Sequence, residues 1–294
     1  MSNQMPNQRV AVITGASSGF GRLTAEALAA AGWRVYAGVR NVADRNADAA
    51  KRLRAAGVMV VELDVTDDTS VDAAATRVLE EAGAVDMLMN NAGSGYFGIT
   101  EAFTPAAIER QFAVNVFGPL RVNRAFLPSM RYRRRGLVVY VSSTLGRYVL
   151  PFSGPYAASK WAIEAFAEVS SYELAPFGID ITILEPGAFR TEIFAKFTAA
   201  DDAARIVSYG DIPKYAEVLT SAFDQEMEGR DPAEVARAVL NLAEMPEGTR
   251  PLRLPVPANP VMEANNAAGA AYQRQFLQDY GLHEMRVDAV TAAP

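Results

Sequence analysis

A tyrosine and a lysine four residues apart, Tyr156 and Lys160 in the run GPYAASKWAIEAF, are the pair in this sequence best suited to proton chemistry. A free phenol titrates near ~10, too high to exchange protons readily at neutral pH. On a helix, residues i and i+4 share a face, so the lysine ammonium projects beside the phenol. Its charge favours the phenolate and is expected to draw the tyrosine pKa down toward the working range of an acid–base group. Spacing alone proves little, because an exposed Tyr beside an exposed Lys is the ordinary reading of such a pair. Its weight depends on the elements that must position it.

Those elements follow a regular rhythm. Short β-branched runs at Arg9–Thr14, Arg34–Val39, Val58–Val65, Val85–Asn90, Leu137–Ser143 and Ile179–Pro186 read as strands. Most are continuously apolar, as expected of parallel strands covered on both faces. Ala-rich helical stretches fall between them, near 20–31, 43–56, 69–82, 105–131 and 156–177. Repeated β-α-β units of this kind build a doubly wound parallel sheet of about seven strands. No linker divides the first part of the chain, so a single α/β domain over 9–257 is expected. After Glu192 the rhythm breaks. Residues 192–230 are mixed polar and aromatic with no strand, and read as a lid over a substrate. A helix opens at Asp231-Pro232, and Arg250–Pro257 reads as a proline-bounded edge strand. Residues 1–8 read as a flexible N-terminus, and 258–294 as an extension with one helix near Val261–Tyr280.

The first strand runs into TGASSGFG, Thr14–Gly21, and a helix follows at once. Gly15 permits a tight turn, Gly19 lets the backbone approach a pyrophosphate, and Gly21 lets helix and strand pack closely. The helix N-terminus offers free N–H donors to the anion. A glycine pattern alone also serves ordinary turns; its place between first strand and first helix is what a dinucleotide site requires. The second strand ends Gly38-Val39-Arg40, with no carboxylate before Asp44. A carboxylate there would bind a ribose 2′-hydroxyl, whereas Arg40, with the Ser17 and Ser18 hydroxyls, suits a 2′-phosphate. NADP(H) is favoured over NAD(H).

Composition closes off other chemistries. The chain of 294 residues has a net charge of −6, which argues against a general nucleic-acid binder. The dense basic run RYRRRG, Arg131–Gly136, reads as a solvated turn. There are no cysteines, which removes disulfides and thiol nucleophiles. The single histidine, His283, makes neither a metal site nor a hydrolase triad alone, so no metal is expected. Met1–Gln8 is polar and no run is long enough to span a membrane, so a cytoplasmic protein is the expectation.

Taken together, TGASSGFG, NNAG at Asn90–Gly93, Ser143, YAASK at Tyr156–Lys160 and Pro186-Gly187 resemble the short-chain dehydrogenase/reductase family over residues 9–255. The glycine spacing resembles the shorter branch of that family. The strand end VYAGVR and the run EPGAFRTE are similar to its hydroxysteroid- and retinol-dehydrogenase-like members. The resemblance implies a Rossmann-type fold and assigns roles. Tyr156 would be the proton donor in reduction and acceptor in oxidation. Ser143 would hold the same substrate oxygen, and it has the family's offset where Ser142 does not. Lys160 would lower the tyrosine pKa and grip the nicotinamide ribose, and Asn115 would hold a water linking Lys160 to solvent. Phe20 lies in the cofactor turn, while Asp64, Val65, Asn91, Ala92 and Gly93 would border adenine and its ribose. Pro186, Gly187 and Thr191 would line the nicotinamide and phosphates. The family habit is a homodimer or homotetramer built on the helices carrying Asn115 and Tyr156.

The substrate pocket is expected at the carboxyl ends of the strands, lined by Ser94, Tyr96, Leu145, Tyr148, Phe152, Phe189 and Phe194. This set is mainly apolar and aromatic, which points to a bulky ketone or secondary alcohol such as a steroid, retinoid or aryl ketone. Two other readings compete: an epimerase or dehydratase on the same fold, and a catalytically silent NADP-binding regulator. The regulator would be expected to lose Ser143, Tyr156 or Lys160, and all are present.

Overall fold

The computed structural model describes residues 8–195, 197–282 and 285; of residues 194 and 195 it describes the backbone alone. Residues 1–7 and most of the chain after 282, His283 included, lie outside them. The first half of the sheet comes from β1 (Val10–Thr14), α1 (Gly19–Ala30), β2 (Arg34–Val39), α2 (Ala47–Ala55), β3 (Met59–Glu62), α3 (Asp68–Ala82) and β4 (Met87–Asn90). A short β5 (Tyr96–Phe97) then precedes α4 (Pro105–Phe112) and α5 (Gly118–Arg133). Next come β6 (Gly136–Val141), the long α6 (Gly154–Leu174) and β7 (Ile179–Pro186). The remainder is α7 (Glu192–Ala195), β8 (Thr198–Ala199), α8 (Ala203–Ser208), α9 (Lys214–Glu226), α10 (Ala233–Glu244), β9 (Arg253–Val256) and α11 (Pro260–Asp279).

Seven strands form one parallel sheet in the order β3-β2-β1-β4-β6-β7-β9. From β1 the chain winds outward one way and from β4 the other, so the switch point lies between these two neighbours. Alternate residues serve the two faces. Ala11, Ile13, Val35 and Met89 pack with α1 and α10, while Val10, Val12, Leu88 and Val138 pack with α3, α5 and α6. Both faces are therefore covered, and β1 and β4 are buried throughout. This is why these strands read as continuous apolar runs. Among the described residues no helix is long and apolar enough to cross a membrane.

Three expectations need correction. The helix expected over 105–131 is broken by a π-helical turn at Ala113–Phe117, which separates α4 from α5. The segment after Glu192 does contain a strand: β8 pairs in parallel with β5, Tyr96 opposite Thr198 and Phe97 opposite Ala199. Two such residues are too few to leave a period-two pattern in a sequence. The basic run also belongs partly to α5, with Arg133 paired to Asp86 and Arg135 to Glu247.

Candidate active site

Tyr156 and Lys160 lie in the first turns of α6, whose start carries Pro155, a residue suited to a helix first turn. The buried face of α6 follows helical spacing through Ala157, Lys160, Ile163, Glu164 and Ala167. Two charges thus stand on a buried stripe. Opposite them, β6 ends at Val141 and runs through Ser142 and Ser143 into a tight 3-10 turn, Thr144–Gly146. Lys160 Nζ donates to the Val141 carbonyl oxygen at 2.8 Å. The same nitrogen lies 5.6 Å from the centroid of the Tyr156 ring. Ser143 is in extended backbone, and its Oγ accepts from the Leu145 N–H at 3.2 Å.

The electrostatics depart from the sequence expectation. Burial pushes the Tyr156 phenol up to about 12, with the Ser143 hydroxyl acting in the opposite direction. Lys160 is lowered to about 8 by burial, against which the charge of Glu164 works. In this structure desolvation is the largest influence on both groups. The cost of an ion in a poorly solvated place explains both directions.

Asn115 sits on the π turn, which sets its side chain inward; it is almost fully buried. Its Oδ1 accepts from Ser94 N–H at 2.8 Å, and its Nδ2 donates to the Ser94 carbonyl at 2.9 Å and to Ser159 Oγ at 3.0 Å. Ser159 donates in turn to the Tyr156 carbonyl at 2.7 Å. Asn115 thus ties the loop after β4 to the helix that carries the tyrosine.

At the switch point the glycine turn and the Asn91–Gly93 turn interlock. Thr14 Oγ1 accepts from the N–H groups of Asn91 and Ala92, both at 3.0 Å, and Asn91 Nδ2 donates to the Thr14 carbonyl at 2.8 Å. Gly15 has φ +64, and a Cβ there would fall 2.7 Å from Ala92 Cα. A Cβ on Gly21 would fall 2.4 Å from Asn91 Nδ2. Gly19 N–H, at the start of α1, donates to Glu192 Oε2 at 3.0 Å. That carboxylate oxygen stands where a phosphate oxygen would be received, so the turn offers an anion the donor a dinucleotide pyrophosphate needs. The residues present fit such a cofactor.

A cleft of about 670 Å³ runs along these strand ends. It is bordered by Gly15, Ser17, Ser18, Gly19, Phe20, Arg40, Asp64, Val65, Asn91, Ala92 and Gly93 at one side. Pro186, Gly187 and Thr191, then Ser143, Tyr156 and Lys160, continue the wall. Ser94, Tyr96, Leu145, Tyr148 and Phe189 also border it, although Phe189 is almost wholly buried against Phe20. Three expected residues do not line the cleft. Gly21 is occupied in packing against Asn91, and Asn115 acts from behind Ser94. Phe152 has φ +64, and its carbonyl accepts from Gly98 in the turn before α6. The side chain of Phe194 lies outside the described residues.

Among the lining residues that sequence reasoning missed, Arg45, Phe97 and Phe197 bear most on the site. Arg45 joins Arg40 at the second-strand end of the cleft. Phe97 packs on the Tyr156 ring with centroids 5.4 Å apart, and Phe197 stacks on Phe97 at 4.5 Å. Phe197 also lies on Gly95, where a Cβ would come within 2.4 Å of its ring. The neighbouring aromatics Tyr96 and Phe97 were the available signal, and both border the cleft.

A parallel sheet with a glycine turn at its switch point, and a hydroxyl pair with a lysine at the next strand end, defines a dinucleotide-dependent oxidoreductase. The model of the short chain dehydrogenase family matches residues 9–202. The chain is 32% identical over 234 residues to a 3-ketodihydrosphingosine reductase from Bacteroides thetaiotaomicron, covering 80% of this chain and 83% of that one. A short-chain dehydrogenase from Streptomyces avermitilis superposes with a TM-score of 0.74 at 35% identity, covering 94% of this chain and 97% of that one. An alcohol dehydrogenase from Thermococcus sibiricus, complexed with 5-hydroxy-NADP, gives 0.69 at 31% identity, covering 85% and 96%. Other solved relatives hold NADP or NAD. The chain belongs to the short-chain dehydrogenase/reductase family, and is an oxidoreductase of alcohols and carbonyls that uses a nicotinamide cofactor.

Proposed function

We propose that the protein is an NADP(H)-dependent carbonyl reductase, reversible as an alcohol dehydrogenase, acting on a bulky and largely apolar ketone or secondary alcohol. The observation that carries the reading is the single cleft joining the glycine turn, Ser143, Tyr156 and Lys160, and the Phe97–Phe197 stack. When bound, the nicotinamide supplies or accepts the hydride. Tyr156 donates its proton to the carbonyl oxygen in reduction and takes it back in oxidation. Ser143 donates a hydrogen bond to the same oxygen, which fixes the carbonyl as charge develops on it. The Lys160 ammonium stabilises the phenolate left behind and holds the nicotinamide ribose. Asn115 keeps the Ser94 loop and α6 in register for this transfer and holds the water that links Lys160 to solvent.

Arg40, with Arg45 and the Ser17 and Ser18 hydroxyls, supports the preference for a 2′-phosphate over a free ribose. The aromatic wall on Tyr156 supports an apolar substrate, and the Bacteroides relative is named for reduction of a ketone. On this reading residues 192–230 cover the substrate on a core domain of 9–257, with 258–294 as an added segment. Phe117, Trp161 and Val169 are exposed on or beside α5 and α6, and support assembly of two or four copies through those helices. A cytoplasmic location accords with this chemistry.

The test is a panel of steroid, retinoid, aryl and small polar carbonyls offered with NADPH or NADH, followed by loss of reduced-nicotinamide absorbance. Faster turnover of apolar ketones, with NADPH ahead of NADH, is the expected result. Turnover confined to small charged or sugar carbonyls refutes the substrate class, and NADH ahead of NADPH refutes the role of Arg40.

A further inference from the structure

Glu164 has no part in the proton transfer described above, yet it lies at the join of its two halves. Its carboxylate is 3% exposed, one helical turn beyond Lys160 on the buried face of α6. Ser142 Oγ donates to Glu164 Oε1 at 2.7 Å. Ser142 stands between Val141, whose carbonyl receives Lys160, and Ser143. Lys160 and Glu164 therefore bind consecutive residues of the β6 end, as two stitches between the element bearing Ser143 and the helix bearing Tyr156.

The following turn is shaped around this pair. A Cβ on Gly146 would fall 2.2 Å from Glu164 Oε1 and 2.6 Å from Ser142 Oγ. Gly146 N–H bonds the Ser143 carbonyl at 2.9 Å, so the absence of a side chain lets the turn close directly on Ser143. A buried carboxylate is costly unless paired; burial pushes the Glu164 carboxyl up, and Ser142, Arg253 and Arg147 work against that rise. Arg253 of β9 reaches Glu164 Oε2 at 3.3 Å and also approaches Glu168 and Glu185. Arg147, beyond the turn, adds a favourable charge, and Lys160 faces Glu164 from the same helix. Glu185 of β7 opposes it with a like charge and is pushed up to about 7, chiefly by burial. Asn266 of α11 completes the cluster, donating to Glu185 Oε2 at 2.7 Å and accepting from Arg147 at 2.9 Å.

We infer that Glu164 is a positioning residue for proton transfer: its carboxylate locks the Ser142–Ser143 strand end onto the Tyr156 helix and supplies the counter-charge that keeps Lys160 an ammonium. This rests on the proposed roles of Ser143, Tyr156 and Lys160. A purely structural carboxylate would support folding without altering the state of Lys160. A positioning carboxylate must alter it, because removing the negative charge leaves burial to lower the lysine further.

The experiment uses NMR of isotope-labelled lysine, which is tractable because the chain has only Lys51, Lys160, Lys196 and Lys214. The wild type is expected to show one lysine, Lys160, titrating near 8. In Glu164→Gln, which keeps the shape and an acceptor for Ser142, that midpoint moves to lower pH. The high-pH limb of carbonyl reduction moves with it, and kcat falls on the order of 10- to 100-fold with little change in KM for NADPH. Ser142→Ala removes the stitch and leaves the charge, so kcat falls while the lysine midpoint stays. Glu164→Asp keeps the charge and restores the midpoint, and it carries the test should the Gln variant fail to fold. A lysine midpoint unmoved in folded Glu164→Gln, or wild-type kcat in Ser142→Ala, overturns the inference. The titration needs no turnover, so a failure of the assigned proton transfer is told apart from a failure of Glu164.

Discussion

The two walls of the cleft are built to different standards. The wall made by the β6 end and α6 is held by buried contacts: Lys160 to Val141, Ser142 to Glu164, and Asn115 to Ser94 and Ser159. The wall made by residues 192–230 rests on the surface, where α9 buries none of its residues. Its ties include the exposed pairs Arg190–Asp224 and Arg205–Glu101, the Arg230 bond to the Ala188 carbonyl, the two-residue β5–β8 pairing, the Glu192 bond to Gly19, and the Phe197 contact with Phe97. Exposed ion pairs are worth only ~0–1 kcal/mol each, whereas breaking a buried polar contact costs about 1–3 kcal/mol or more. On the proposed reading, the chemistry sits on the more firmly held wall, and substrate fit on the less firmly held one. Damage to the first should appear in kcat, and damage to the second in KM.

The largest effect tests the fixed wall. Tyr156→Phe keeps the ring against Phe97 and removes only the hydroxyl. Turnover is expected to fall at least 10²- to 10⁴-fold, the usual contribution of a general acid. NADPH affinity should stay within a few-fold, measured by titrating cofactor fluorescence. Retained activity would refute Tyr156 as the donor and with it the contrast between the walls.

The same contrast explains what was legible in the sequence. Tyr156 and Lys160 share one helix, and the glycines of TGASSGFG span one strand-to-helix turn, so local spacing carried their meaning. The strands read clearly because both faces of the sheet are covered. Glu164 was harder to see. Its signal was a charge four residues past Lys160 on the apolar Ala157–Ile163–Ala167 face, but its partners Ser142 and Arg253 come from separate strands. Phe97 and Phe197 meet only because β8 returns to pair with β5, a contact with no periodic trace. Phe152 looked like a pocket aromatic, but its backbone at φ +64 belongs to the turn before α6. The break at Asn115 was hidden because one π-helical turn leaves the apolar pattern on either side nearly unchanged.

A middle-sized effect tests the adjustable wall. Phe197→Ala removes the outer ring of the Phe97–Tyr156 stack and frees the surface of Gly95. An aromatic pair is worth ~0.5–1.5 kcal/mol beyond its burial, or about 2- to 12-fold in an equilibrium. Steady-state kinetics should show KM for an apolar ketone raised by about that factor, with kcat nearly kept. A fall in kcat comparable with that of Tyr156→Phe would mean that the two walls act as one.

The smallest effect has the opposite sign, and lies where the adjustable wall meets the cofactor turn. Glu192 begins α7, and its carboxylate takes the Gly19 N–H at the positive end of the α1 dipole. A pyrophosphate needs that same donor and is repelled by the carboxylate, so the two anions compete for one position. A charge at a helix N-terminus is worth ~0.3–1 kcal/mol, or about 2- to 5-fold in binding. Glu192→Ala should therefore tighten NADPH binding by that factor in isothermal titration, while slightly lowering the melting temperature of the free protein. Glu192→Gln should give most of the same gain, because repulsion and not shape is what it removes. Weaker binding in both variants would show that Glu192 holds the wall in the shape the cofactor requires, and that this wall is less adjustable than its exposed contacts imply.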